Sequence, residues 1–156
     1  MGINPPEVVR ERIPLLLNGT GVKALKVKLG SPKGLDADQA MFSAVLEMTK
    51  DRSTVIRVDA NGGWTVPEAK KMMQWLADRG VEYIEQPLKK GEEEDLIHLF
   101  EDRPLPIYVD ESCRVSSNIP VFADRVDGVN LKLMKCGGIT EALRIVSTAR
   151  AFGLKT

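Results

Sequence analysis

The sequence has few of the residues that define several common protein classes. Its two cysteines, Cys113 and Cys136, lack the C-x-x-C spacing of zinc sites and are too few for a disulfide scaffold. Its 22 basic and 22 acidic side chains leave no net charge, so the chain lacks the basic surface that nucleic acids and anionic membranes require. We therefore predict buried free thiols, a cytoplasmic location and no nucleic-acid partner.

Long apolar segments are also absent. No run approaches the roughly 18–20 apolar residues that a membrane span needs, and we expect no signal peptide at the start of the chain. The composition, 43% hydrophobic and 28% charged, is that of an ordinary globular protein. We therefore expect no membrane partner, and the length of 156 residues allows one domain with its own core.

Strand-like and helix-like patterns alternate along the chain. Five short segments rich in β-branched residues are predicted strands: Ala24–Leu29, Thr54–Asp59, Val81–Glu85, Pro106–Asp110 and Gly128–Lys132. Such alternation favours parallel strands joined by right-handed crossovers. Both an open doubly wound sheet and a β/α barrel satisfy the pattern, and periodicity alone does not separate them.

Helical signals fill the segments between the strands. Leu35–Asp51 places its small and apolar residues on one stripe, at spacings of three and four. The next helix is predicted to begin with a capping box at Thr65 and to stop at Gly80. We expect Thr140 to cap the last helix and Gly153 to end it.

An ionisable side chain stands at or near the carboxyl end of each predicted strand: Lys28, Asp59, Glu85, Asp110 and Lys132. They are separated by 22 to 31 positions, close to the roughly 30 residues of one β/α unit in a barrel. Barrel enzymes carry their catalytic residues at this end of the strands. The sequence therefore predicts a partial TIM-like barrel of about five parallel strands with flanking helices.

The order of these side chains is base, acid, acid, acid, base. Asp59, Glu85 and Asp110 would repel one another unless a cation lay among them, and an all-oxygen set suits Mg²⁺ rather than zinc. Lys28 and Lys132 would then stand on opposite sides of the metal. Two opposed bases suit removal of a proton alpha to a carboxylate, with the metal stabilising the enediolate and the second lysine returning the proton.

Two further lysines lie close to the predicted bases. Lys26 is two residues before Lys28, so both point to the same side of the strand. Lys135 lies three residues past Lys132; of two alternatives, an approach to the substrate and a place on the surface or in a loop, we favour the second. Taken singly, each charged residue is most often a helix cap or a solvated side chain; five in this order argue against coincidence.

These residues lie in motifs that resemble the enolase superfamily, muconate-lactonizing subgroup. The motifs are A-L-K-V-K-L-G (24–30), R-V-D-A-N-G-G-W (57–64), I-E-Q-P-L (84–88), V-D-E-S (109–112) and N-L-K-L-M-K-C-G-G (130–138). The residues of these motifs are most similar to those of the dipeptide epimerases, such as L-Ala-D/L-Glu epimerase. The resemblance implies Mg²⁺ on the three acids, acid/base chemistry by the two opposed lysines, and Lys26 as an auxiliary lysine. It also implies that Asn61 and Glu111 contact the substrate or support the metal ligands.

The family pattern also includes a capping domain and further barrel strands that residues 1–156 do not contain. We therefore expect residues 1–156 to form a single partial barrel domain that is a fragment of a longer protein. An open arc of strands has two edges and an inner face without packing partners. We expect this surface to associate with another copy, forming a homo-oligomer, or with the missing portion.

Three functions follow from this reading. The first is a Mg²⁺-dependent epimerase or racemase that acts on a small-molecule carboxylate, a dipeptide. The second is an enzyme like muconate cycloisomerase or o-succinylbenzoate synthase, which the resemblance implies would use the same metal and lysines. The third is a non-catalytic barrel fragment that associates with itself or with its missing part.

Overall fold

The computed structural model describes residues 1–50 and 54–156, which form one sheet of five parallel strands in sequential order. The strands are β1 (Ala24–Lys28), β2 (Val55–Asp59), β3 (Val81–Glu85), β4 (Ile107–Val109) and β5 (Gly128–Val129). Each strand pairs in parallel with the next one along the chain. This arrangement confirms the predicted partial barrel.

Helices connect the strands and cover one face of the sheet. They are α1 (Pro6–Leu17), α2 (Leu35–Thr49), α3 (Val66–Ala77), α4 (Ile97–Phe100), α5 (Ile119–Phe122), α6 (Leu133–Cys136) and α7 (Ile139–Ala151). Short 3₁₀ turns at Glu93–Leu96 and Ser116–Asn118 lead into α4 and α5. In the described ranges, no helix combines the length and the hydropathy that a membrane crossing requires.

The last two strands are shorter than predicted. β4 ends one residue before Asp110, and β5 ends three residues before Lys132. The chain turns at these points because the Asp110 carbonyl accepts the N–H of Cys113 at 3.1 Å, and the Lys132 carbonyl accepts the N–H of Lys135 at 2.9 Å. Both functional candidates therefore lie in turns at the rim, just beyond the strands.

Two predicted helix boundaries also differ. α2 ends at Thr49, and the predicted end at Asp51 lies outside the described residues. The prediction that Thr140 caps the last helix is wrong, because Gly138 occupies the cap position and its carbonyl accepts the first hydrogen bond of α7. The capping box that begins with Thr65 is confirmed.

Strand alternation divides the side chains between the two faces of the sheet. The outward-facing apolar residues are buried beneath the helices: Leu25, Val27, Ile56, Val58, Ile84 and Ile107. The intervening residues of β1 and β2, such as Lys26 and Arg57, face the inner side of the arc and are partly exposed. This division leaves the charged rim residues on the inner face.

Below the rim, the inner face is a mixed aromatic and polar surface. The rings of Tyr83 and Tyr108 stack with their centroids 4.3 Å apart, and Arg57 pairs with Glu82 at 2.5 Å. Val55 is 40% exposed on this side. Association of this face with another copy stays a prediction, which light scattering after size-exclusion chromatography tests.

Arg103 and Asp127 fasten the segment before β4 to the segment before β5. Two guanidinium nitrogens of Arg103 donate to the Asp127 carboxylate at 2.7 and 2.6 Å. The same carboxylate accepts the backbone N–H of Ile107, the first residue of β4, at 2.8 Å. Three charge-assisted hydrogen bonds on one partly buried carboxylate indicate a structural clamp.

We expect Asp127→Ala to lower the free energy of unfolding by about 2–4 kcal/mol, because it leaves a guanidinium and a strand N–H without their acceptor. The control is Asp124→Ala, which removes the exposed ion pair with Arg125 and should leave stability close to that of the unsubstituted chain. Urea unfolding followed by circular dichroism measures both. Equal losses in the two variants would argue against the clamp.

Candidate active site and metal centre

Three buried carboxylates meet at the rim of the sheet. Asp59 ends β2, Glu85 ends β3 and Asp110 follows β4, and none has any exposed surface. One carboxylate oxygen of each residue lies within 4.8 Å of the others. The register explains the convergence, because Lys28, Asp59 and Glu85 are paired directly across β1, β2 and β3. We refer to the three acids as the triad.

The triad fits a hard divalent cation. Three buried carboxylates this close together repel one another, and oxygen donors are the ligands that Mg²⁺ prefers. The Oδ2 atom of Asp59 is buried and accepts no hydrogen bond from any residue that the structure describes. A buried oxygen without a donor is costly unless another partner satisfies it, and a cation would do so.

Lys26 and Lys28 approach the triad from β1. The Nζ atom of Lys28 lies 3.3 Å from Asp59 Oδ2 and donates to Asn61 Oδ1 at 2.6 Å. The Nζ atom of Lys26 donates to Glu85 Oε2 at 2.8 Å and lies 3.9 Å from Asp59 Oδ2. The structure thus brings both lysines of β1 to the acids, on the same side of the strand.

Lys132 approaches from the opposite end of the arc. Its ammonium donates to Asp110 Oδ2 and lies 4.0 Å from Glu85 Oε1. Burial raises the pKa of Asp110, but the contacts with Lys132 and Lys135 outweigh burial and hold that pKa below its ordinary value. Burial lowers the pKa of Lys132, and the Asp110 contact reverses the effect and raises it. Lys132 is therefore protonated as long as its ammonium pairs with the Asp110 carboxylate.

Lys135 also belongs to this site, so its predicted place on the surface or in a loop is wrong. Its Nζ atom lies 2.7 Å from Asp110 Oδ1 and donates to Glu111 Oε1 at 3.3 Å. Lys132 caps α6 and Lys135 lies within that helix. Residues three apart on a helix share a face, so both lysines reach the same carboxylate. The interval of three residues between Lys132 and Lys135 is the feature of the sequence that could have predicted this shared contact.

Asn61 and Glu111 flank the triad. Asn61 has a left-handed backbone, with φ of 50°, and its N–H donates to Asp59 Oδ1 at 2.9 Å. Its side-chain oxygen is the acceptor for Lys28. Glu111 pairs with Lys135, and its Oε2 atom is buried without a hydrogen-bond donor among the described residues. The structure therefore places both residues against site residues.

Gln86 is a buried residue that the sequence does not single out. Its Oε1 atom accepts the N–H groups of Asp110 and Ser112 at 2.9 and 3.2 Å. Its Nε2 atom donates to the Leu88 carbonyl and to Ser112 Oγ, both at 2.9 Å. The side chain therefore ties the turn after β3 to the turn after β4, next to Glu85.

Asp38 and Asn130 also make polar contacts near the site, and the sequence analysis does not predict them. Asp38, buried on α2, accepts two backbone N–H groups of the loop after β1 and the indole N–H of Trp64 after β2. Asn130 donates its amide to Glu85 Oε1 at 2.7 Å. Its position two residues before Lys132, on the same side of an extended segment, was the available signal.

Both cysteines are free and buried, with 5% and 7% of their surface exposed, as predicted. Burial, together with the nearby Asp110 carboxylate and Cys136, raises the pKa of the Cys113 thiol from 9.0 to about 11. The thiolate is the reactive form of cysteine. Cys113 is therefore poorly suited to act as a nucleophile.

We expect iodoacetamide at about pH 8 to alkylate native Cys113 at least about 100-fold more slowly than the urea-unfolded chain, because a pKa higher by about two units reduces the thiolate fraction by that factor. Mass spectrometry of the Cys113 peptide over time measures both rates. Similar rates in the native and unfolded chains would contradict burial of this thiol.

Residues 9–156 match the family model of enolase C-terminal domain-like proteins. The chain belongs to the enolase C-terminal domain-like family. All five motifs that carry the resemblance lie within the matched residues. The family recognised from the sequence is thereby confirmed.

Relatives that this chain matches over its whole length include dipeptide epimerases. A hydrophobic dipeptide epimerase of Flavobacteria bacterium (strain MS024-2A) is 70% identical over 100% of this chain, which spans 45% of that protein. An L-Ala-D/L-Glu epimerase of Bacteroides thetaiotaomicron is 35% identical over 99% of this chain, which spans 38% of that protein. The chain thus spans less than half the length of these relatives.

A solved structure of a similar protein shows the same fold over this chain. It is the dipeptide epimerase of Enterococcus faecalis V583 complexed with Mg and the dipeptide L-Leu-L-Tyr. The TM-score is 0.85 at 35% sequence identity, over 99% of this chain and 43% of that chain. The enolase-type barrel architecture of residues 1–156 therefore agrees with an experimental structure.

Proposed function

We propose that this chain carries the reactive centre of a Mg²⁺-dependent dipeptide epimerase. The observation that carries the proposal is the buried triad with Lys28 on one side and Lys132 on the other. Relatives named as dipeptide epimerases support the reaction class. Because the chain spans less than half their length, the activity belongs to a protein that includes this centre.

The residues of the centre take distinct roles in this proposal. Asp59, Glu85 and Asp110 would hold Mg²⁺, which when bound supplies positive charge to the substrate carboxylate and so favours loss of the alpha proton. One of the two lysines, Lys28 or Lys132, accepts that proton from the alpha carbon. The other donates a proton to the opposite face, which inverts the configuration.

The two lysines start from different surroundings. The Asp110 contact keeps Lys132 protonated, so Lys132 is positioned as a proton donor and acts as a base after leaving that oxygen. Lys28 is oriented by Asn61, whose oxygen accepts from it. Lys26, held by Glu85, serves as the auxiliary cation of the centre.

We propose a dipeptide with hydrophobic side chains as the substrate. The support is the 70% identity to a hydrophobic dipeptide epimerase, against 35% to an L-Ala-D/L-Glu epimerase. The reacting carbon is the one next to the free carboxylate, in the second residue of the dipeptide. We further propose that the protein acts in the cytoplasm as a homo-oligomer.

Proton exchange in heavy water tests this proposal. The longer protein that includes residues 1–156 is incubated with Mg²⁺ and L-Leu-L-Tyr, and nuclear magnetic resonance follows deuterium entry at each alpha carbon. We expect exchange at the tyrosine alpha carbon only, loss of exchange on chelation of Mg²⁺, and exchange at least about tenfold slower with L-Ala-L-Glu. Mg²⁺ binding without any exchange by the longer protein would contradict the activity, whereas exchange by the longer protein but not by residues 1–156 alone would make the isolated chain a non-catalytic fragment.

A further inference from the structure

Asp38 is a buried carboxylate that lies outside the triad and has no part in the proposed mechanism. It belongs to α2, and only 1% of its surface is exposed. Its Oδ1 atom accepts the backbone N–H of Ser31 at 2.9 Å. Its Oδ2 atom accepts the backbone N–H of Gly30 at 3.0 Å and the indole N–H of Trp64 at 2.9 Å. Asp38 therefore joins the loop after β1 to the turn after β2.

The two segments that Asp38 joins are also in direct backbone contact. A Cβ atom on Gly30 would lie 2.1 Å from the carbonyl oxygen of Ala60, and a Cβ atom on Gly63 would lie 2.5 Å from the Gly30 Cα atom. Neither distance leaves room for a side chain, so the two backbones touch through glycine. A displacement of the loop after β1 must therefore move the turn after β2 as well, and Asp38 holds both of them against α2.

Asn61 lies in that turn and connects it to Lys28. Its Nδ2 atom donates to the carbonyl of Leu29 at 3.3 Å and to that of Asp59 at 3.1 Å. Because both amide hydrogens are taken up by backbone carbonyls, the side-chain oxygen is left to accept from Lys28, at 2.6 Å. Packing does little to orient Lys28, since 44% of its side-chain surface is exposed. Its direction therefore depends on where the two segments place the Asn61 amide.

We propose that Asp38 is a positioning residue for Lys28. By holding the loop after β1 against the turn after β2, it fixes the Asn61 amide and thereby the direction of the Lys28 ammonium. Lys132 approaches from the opposite end of the arc, where it donates to Asp110. The effect of Asp38 is therefore confined to one of the two lysines. This inference rests on the proposed function, in which each lysine serves one epimer.

Asp38→Asn is the variant that tests this role. It preserves the size of the side chain but replaces one oxygen with an NH₂ group, which cannot accept the N–H groups that the oxygen accepts. Asp36→Asn is the matched control, because Asp36 is an exposed acid in the first turn of the same helix. Both variants remove one negative charge from the same end of α2, so they differ in the buried hydrogen bonds.

Proton exchange in heavy water compares the two epimers, with Mg²⁺ and the longer protein that includes residues 1–156. The rates with L-Leu-L-Tyr and with L-Leu-D-Tyr are measured separately, and Lys28→Met identifies the epimer whose exchange depends on Lys28. We expect Asp38→Asn to slow exchange of that epimer at least about tenfold relative to the other, because a small displacement of a catalytic group costs a large factor in rate. Asp36→Asn should retain the ratio of the unsubstituted protein.

The indole proton of Trp64 reports on the same contact without substrate. Its magnetic resonance signal should move upfield in Asp38→Asn, because the acceptor loses its charge, and should keep its position in Asp36→Asn. An unmoved signal in Asp38→Asn would contradict the hydrogen bond on which the inference depends. A purely structural role for Asp38 would lower the amount of folded protein and slow exchange of both epimers alike, which leaves their ratio unchanged.

The possible outcomes separate this inference from the proposed function. An unchanged ratio in folded Asp38→Asn, or a loss confined to the epimer that depends on Lys132, overturns the inference and leaves the proposed function in place. Absence of exchange with either epimer in the unsubstituted protein overturns both. If Asp38→Asn does not fold, Trp64→Phe removes one of the three hydrogen bonds, and an unchanged ratio there overturns the inference.

Discussion

Replacing either Lys28 or Lys132 with methionine should slow epimerisation strongly but leave proton exchange with one of the two epimers. In the proposed mechanism, each variant loses one of the two groups that transfer protons, and each group faces one side of the alpha carbon. We expect epimerisation to slow by roughly 10²–10⁴-fold, the range that general acid–base catalysis contributes. The two variants should retain exchange with opposite epimers, because the remaining lysine reaches only one face.

Exchange in heavy water with L-Leu-L-Tyr and L-Leu-D-Tyr, assayed separately, measures this effect. Lys71→Met, an exposed lysine on α3, is the control and should exchange both epimers at the unsubstituted rate. If a variant with a single remaining lysine exchanges both epimers equally, the two lysines do not act on opposite faces. Circular dichroism spectra of the variants establish that the folded state is retained.

The residues of the triad could be predicted because the sequence places them by two independent regularities. Strand alternation sets which side chains face inward, and the interval of one β/α unit sets their height at the rim. Both hold for Asp59 and Glu85, which are paired directly in the sheet. Asp110 and Lys132 follow the same reasoning, although the chain has already left the strand at both.

Gln86 and Lys135 could not be found this way, for different physical reasons. The contacts of Gln86 depend on a left-handed backbone, with φ of 43°, and on Ser112, which lies 26 residues away in the chain. Lys135 depends on a four-residue helix that turns it back toward Asp110. The strand pattern predicts side-chain positions only up to the end of each strand. Gln86 and Lys135 lie beyond the strand ends, so the pattern does not place them.

Glu85→Gln should remove the stabilisation that Mg²⁺ gives to the chain. At a concentration 100 times Kd, a ligand that binds only the folded state stabilises it by about 2.7 kcal/mol. For a chain of this size, about 2–4 °C per kcal/mol corresponds to a melting temperature higher by about 5–11 °C. A variant with affinity lowered by about 100-fold would gain only about 0.4 kcal/mol at the same Mg²⁺ concentration, or about 1 °C.

Glu82→Gln is the matched control, because Glu82 lies on the same strand as Glu85 but pairs with Arg57 away from the triad. Differential scanning calorimetry with Mg²⁺ or with a chelator should give the full shift in this control and in the unsubstituted chain. The chelated samples isolate the second consequence of Glu85→Gln, which is that Lys26 loses its carboxylate partner. A Mg²⁺-dependent shift that persists in Glu85→Gln but disappears in Glu82→Gln would place the cation lower on the inner face, and the triad would then be an ion-pair network of acids and lysines.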